Sequence, residues 1–122
     1  MSKIEVAIPY IGSVISVNHA YIHGRFLRPA AKSWRDVLAM IVKMEMAEKE
    51  IGDLTPPLTV MVEGRFRNWR SAPDLHNLHK LIADAVQMAT RINDKHIRMA
   101  DGERWASSEE PMIFVEISDR SG

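Results

Sequence analysis

With 122 residues, 46% of them hydrophobic and 26% charged, the chain is expected to form a single domain over 1–122 and to remove roughly two-thirds of its unfolded surface from water. It holds no cysteine, which excludes disulfides, thiol catalysis and thiolate metal sites, and its longest apolar run, Val37–Val42, is far too short to cross a bilayer. The formal net charge is zero, and Glu5 and Pro9 break the first apolar stretch too early for a secretory signal, so no membrane association and a cytoplasmic location are expected.

In chain order, Ile4 to Pro9 and Ser13 to Val17 are rich in β-branched residues and bounded by Pro9, Gly12 and Asn18, which predicts an opening strand and a turn. Pro29 suits the first turn of a helix, and Trp34, Val37, Leu38, Ile41, Met44 and Met46 then recur mostly at three- and four-residue spacing until Gly52. Met40, Met44, Met46 and Met88 read as core filling. Leu54–Pro57 is a stiff linker. From Leu58 to Phe66 the pattern alternates, with Leu58, Val60, Val62 and Phe66 on one face, which predicts a strand buried on one side. A second helix follows Pro73, with Leu75, Leu78, Ile82, Ala85 and Ala89 as its apolar stripe. Asn93-Asp94 marks a turn, and strands at His96 to Ala100 and Met112 to Ser118 flank the polar segment Asp101 to Pro111. The order predicts an α+β fold, a small mixed sheet packed against two main helices, with the strand order left open.

The charges are segregated. From Arg65 to Met99 the basic residues Arg65, Arg67, Arg70, Lys80, Arg91, Lys95 and Arg98 face only Asp74, Asp84 and Asp94, and a second basic cluster, Arg25, Arg28, Lys32 and Arg35, precedes the first long helix. The balancing acids lie in Glu45 to Asp53 and Asp101 to Asp119, a layout that suits one phosphate-facing side. In the run Arg65-Phe-Arg-Asn-Trp-Arg70, Trp69 and its basic neighbours fit nucleic-acid contact, and equally a strand end with Trp69 packed inward.

On a helix starting near Asp74, each residue turns by about 100°, so Asn77, Lys80 and Asp84 share one polar arc opposite the apolar stripe. Asp74 itself fits two roles there, an N-cap or a functional carboxylate at a site that favours anions. His76 and His79, at i and i+3 without a third ligand nearby, do not alone define a metal site, and His19, His23 and His96 have no ligand spacing.

Taken together, Asp74-Leu-His-Asn77, Lys80, Asp84 and Asn93-Asp94-Lys-His-Ile97 resemble the RusA family of Holliday-junction endodeoxyribonucleases. That family's pattern is an Asp-x-Asp-Asn helix start, a lysine three residues after the asparagine, an aspartate four further on, and an acidic turn before the next strand. Ser16-Val-Asn18, Tyr21, Gly24-Arg25 and Ala31-Lys-Ser-Trp-Arg35 resemble the family's asparagine turn, basic hairpin and entry to the first long helix. The resemblance implies a structure-selective endodeoxyribonuclease that resolves four-way junctions in recombination and repair, acting as a homodimer on branched DNA. It implies Asp74 and Asp94 as metal-binding carboxylates, Lys80 beside the scissile phosphate, and Asn77 and Asp84 in support; the segregated basic residues add expected DNA contacts from Arg25, Arg28, Lys32, Arg65, Arg67, Trp69, Arg70 and Lys95. His76 stands where the family has its second aspartate, which keeps it in the metal and catalytic set but softens the site. Mg²⁺ is the implied cofactor, with Mn²⁺ favoured by the imidazole. The departure also leaves open a catalytically impaired junction-binding protein.

Overall fold

Apolar side chains alternate along Lys3–Pro9, Leu58–Phe66 and Met112–Ser118, and each segment forms a strand with one buried face. The computed structural model describes residues 2–22 and 25–120. Its elements are β1 (Lys3–Pro9), α1 (Val17–Ala20), β2 (Tyr21–Ile22), β3 (Phe26–Leu27), α2 (Pro29–Glu48), β4 (Leu58–Phe66), α3 (His79–Thr90), β5 (Ile97–Ala106) and β6 (Met112–Ser118), with 3-10 turns at Ser13–Ile15, Leu75–Leu78 and Asp94–His96. The sheet order is β1-β6-β4-β5, and β2 and β3 form a separate two-stranded hairpin. β6 is antiparallel to both β1 and β4, whereas β4 and β5 are parallel. Parallel neighbours require a crossover, and that connection carries Asp74, α3 and Asp94.

One face of the sheet supplies Ile4, Val6, Ile8, Leu58, Val60, Val62, Phe66, Ile113, Val115 and Ile117 to the core, against Leu38 and Val42 of α2 and Leu81, Ile82, Ala85 and Val86 of α3. The α+β architecture with a mixed sheet and two main helices agrees with the sequence reading. Gly64 explains one close approach within it. A Cβ there would lie 2.4 Å from the Phe66 ring and 3.3 Å from Leu75 Cδ2. Gly64→Ala is therefore expected to cost about 1–3 kcal/mol, as overpacking does, and to disturb the turn that follows Asp74, measurable as a lower urea midpoint.

Several local expectations are corrected. Ser13 to Val17 holds a 3-10 turn and the start of α1, not extended chain, because Ser16 O accepts the N–H of both His19 and Ala20 and so opens a helix. After Pro73 the chain first makes a 3-10 turn, and the α-helix begins only at His79. Asn77 therefore lies in the turn and not on the α-helix, while Lys80 and Asp84 follow on α3. β5 runs on through Asp101 to Ala106, where polarity alone suggested a loop. Of the four methionines assigned to the core only Met46 is buried; Met40, Met44 and Met88 are exposed, as are Val37 and Trp69. Gly24, part of the hairpin motif, and His23 lie outside the described residues.

Candidate nucleic-acid and metal site

Asp74 precedes the 3-10 turn in extended conformation, yet its side chain makes no capping hydrogen bond. Its carboxylate is 78% exposed, and its one ion-pair partner among the described residues is Arg104, at 3.8 Å. The capping role that such a position usually has is thus absent, and the carboxylate is left accessible. Asn77 donates its backbone N–H to Asp74 O at 3.0 Å, which fixes the turn, while Leu75 and Leu78 anchor it in the core.

Two adjoining cavities share His76 and Asn77. A groove of about 610 Å³ between α3 and β5 is lined by these two with Val17, His79, Lys80, Asp94, Lys95, Ile97 and Met99, among others. A smaller one, about 350 Å³, adds Asp74, Asp101, Gly102 and Arg104. Asp94 is held by its backbone: its N–H donates to Gln87 Oε1 at 2.9 Å, and Asn93 Oδ1 accepts the Lys95 N–H at 3.0 Å. Among the described residues the Asp94 carboxylate has no partner. Asp94 thus lines the larger groove and Asp74 the smaller cavity, with His76 and Asn77 common to both.

Lys80 sits with Nζ 3.9 Å above the Tyr21 ring, and Tyr21 donates its hydroxyl to Asp84 Oδ2 at 2.5 Å. Burial first, and then the bond to Asp84, hold the Tyr21 phenol well above its ordinary range, so it remains a donor. Asp84 therefore fastens the β2–β3 hairpin to α3 and does not line either cavity. Through Tyr21 the hairpin stands beside Lys80, and the exposed Arg25, Arg28 and Lys32 follow on it and on the start of α2.

The other basic residues divide. Arg67 and Arg70 lie exposed with Trp69 in the turn after β4, and among the described residues neither arginine has an ion-pair partner. Arg65 is on the opposite sheet face, where it donates to Glu110 O at 3.0 Å, pairs with Glu109 at 2.9 Å and covers Phe114. That face carries a separate cleft of about 500 Å³, lined by Glu5, Glu63 and Glu116 around Trp105 and Phe114. Its carboxylates repel a polyanion, whereas Lys80, Lys95 and the histidines make the groove beside α3 the phosphate-compatible surface.

Sequence reasoning did not single out Asp101, Arg104 or Gln87, and it gave His79 no site of its own. Asp101 Oδ1 contacts His79 Nε2 at 2.5 Å, and the His79 ring lies edge-on to His76, 4.9 Å between centroids. Only Asn93, an N-cap type before the turn, hinted at how Asp94 is held.

The donors suit a divalent ion by chemistry: two accessible carboxylates in adjoining cavities that share an imidazole, His76. Among the described residues, however, no three His, Asp or Glu side chains converge closely enough to hold one. Mg²⁺ commonly uses one or two carboxylates, retained waters and substrate phosphate instead of an all-protein cage, which is the kind of site these donors fit.

A small mixed-sheet α+β domain with carboxylates and cations along two adjoining cavities is compatible with phosphate binding. The endodeoxyribonuclease RusA family model matches residues 14–118, and the chain belongs to that family. RusA nucleases act on branched DNA junctions and are generally dependent on divalent metal, which supports assignment as a Holliday-junction endodeoxyribonuclease of recombination and repair. No curated protein matches the chain. Among the described residues no helix is long and apolar enough to cross a membrane.

Proposed function

We propose that the chain is a divalent-metal-dependent resolvase in which Asp74, His76 and Asp94 hold the ion and Lys80 acts at the scissile phosphate. The observation that carries this reading is Asp74, an accessible carboxylate without a capping bond, in a cavity that shares His76 and Asn77 with the Lys80–Asp94 groove. When bound, the ion supplies positive charge to the phosphoryl oxygens and lowers the pKa of a water. The Lys80 ammonium adds charge where the leaving oxygen develops it, and its placement over Tyr21 limits its freedom. Asn77 supports the turn that presents Asp74, and Asp84 positions Lys80 through Tyr21. Arg25, Arg28, Lys32, Arg67, Arg70, Trp69 and Lys95 are assigned to the DNA backbone around this groove. Arg65, engaged by Glu109 on the other sheet face, is the least suited of the basic residues to this role.

The test is cleavage of a synthetic four-way junction across Mg²⁺ and Mn²⁺, with symmetric nicks expected and Mn²⁺ preferred. No cutting in either ion, with junction binding intact, would favour the second reading, a junction binder with impaired hydrolysis. The lack of three converging donors among the described residues is what favours that alternative. His76→Asp decides between them: gain of cleavage from none supports impairment.

A junction's approximate twofold symmetry suits a homodimer with one site per subunit. Val37, Met40 and Met44 form an exposed apolar stripe on α2 at helical spacing, which supports this surface as the interface. Met44→Glu is expected to shift sedimentation from dimer to monomer; an unchanged dimer would exclude the α2 face.

A further inference from the structure

We propose that Arg104 is a phosphate-binding residue of the DNA site, brought beside Asp74 by a bulge in β5. The inference rests on the functional reading above and adds to it a residue outside the motif. In a regular strand, residues 101 and 104 point to opposite faces. Here Val62 pairs with Asp101 but Gly64 pairs with Arg104, so Glu63 alone stands opposite both Gly102 and Glu103. The extra residue restores Asp101 and Arg104 to the same face, the one that Val62 and Gly64 turn to the core, and both line the cavity of Asp74, His76 and Asn77.

Glu63 clasps the bulge, its Oε2 accepting the Glu103 N–H at 3.0 Å. Gly102 makes this possible, since a Cβ there would meet the Glu63 side chain at 2.5 Å. The Arg104 guanidinium then joins three parts of the site: Nη1 donates to Pro73 O at 2.9 Å, stands 3.8 Å from Asp74 Oδ1, and the group lies 5.7 Å from the Trp69 ring centroid. A guanidinium has five N–H donors, and among the described residues only the bond to Pro73 uses one of Arg104's. The side chain is partly exposed, so the remaining fork is available to an incoming phosphate, with Trp69 and the Asp74 turn fixing its approach.

The experiment is junction binding by the full chain in EDTA, which excludes cleavage, from about 50 to 200 mM salt. Arg104→Ala is expected to weaken binding roughly tenfold, the effect of one charge-assisted hydrogen bond. It should also flatten the slope of log K against log salt by about 0.9, the value for one phosphate contact. Arg104→Lys should keep the wild-type slope, because charge and not packing sets it; it also keeps the test decisive if the alanine variant does not fold. Wild-type binding with an unchanged slope in Arg104→Ala, or a flattened slope in a folded Arg104→Lys, overturns this assignment alone. A wild-type protein that does not prefer junctions to duplex overturns the functional reading, and this one with it.

Discussion

Asp74→Asn is expected to lower junction cleavage by roughly 10²–10³-fold or more while leaving the fold and junction binding intact. The exchange removes the negative charge that would hold a cation, and loss of several kcal/mol of transition-state charge stabilisation has an effect of that order. Stability should move by less than about 0.5 kcal/mol, because the carboxylate is 78% exposed, caps no turn and has only a surface-type ion pair with Arg104. Asn keeps the shape, so packing of Leu75 below it is unaffected. Binding in EDTA should not weaken; loss of one acid near a phosphate favours it slightly. Single-turnover cleavage and a thermal melt separate the effects. Cleavage within a few-fold of wild type would mean that Asp74 holds no ion in the reaction.

Lys80→Ala comes next in expected size, about 10²-fold in the cleavage rate, comparable to loss of one donor that stabilises developing charge. The ammonium over the Tyr21 ring is worth only about 0.5–1 kcal/mol at an exposed position, so the fold should persist. Lys80→Arg is not expected to restore the rate, because a planar fork cannot occupy the place of a compact ammonium above the ring. Tyr21→Phe serves as a discriminating control: it deletes the bond to Asp84 but keeps the ring under Lys80, and should reduce the rate less than Lys80→Ala. A larger effect from Tyr21→Phe would assign the chemistry to the hairpin.

Much of the fold was legible in the residues because hydrophobic periodicity reports burial directly. β4 alternates from Leu58 to Phe66 and is buried as the alternation requires, and α2 starts at Pro29 as that residue's fixed φ suggests. β5 was cut short at Ala100 because it is an edge strand whose second half, Asp101 to Ala106, is polar in the manner of protected edges. The opposite error occurred on α2, where spacing places Val37, Met40 and Met44 on a stripe but cannot say whether anything covers it. Asp74, His76, Asn77, Lys80 and Asp94, which the order of short motifs picks out, all line the two adjoining cavities. Asp84 does not join them, because Tyr21 engages its carboxylate. Arg104 and Asp101 were invisible for a different reason: a bulge leaves no periodic trace in sequence, and without it the two residues would face apart.

The most direct measurement is Mn²⁺ binding by calorimetry to the protein saturated with a non-hydrolysable junction, for wild type, Asp74→Asn, Asp94→Asn and the double variant. If both carboxylates serve one ion on DNA, each single change should remove most of the affinity, and the double change should cost little more than either alone. Additive losses, or wild-type affinity in either single variant, would contradict joint coordination and leave the two carboxylates acting separately.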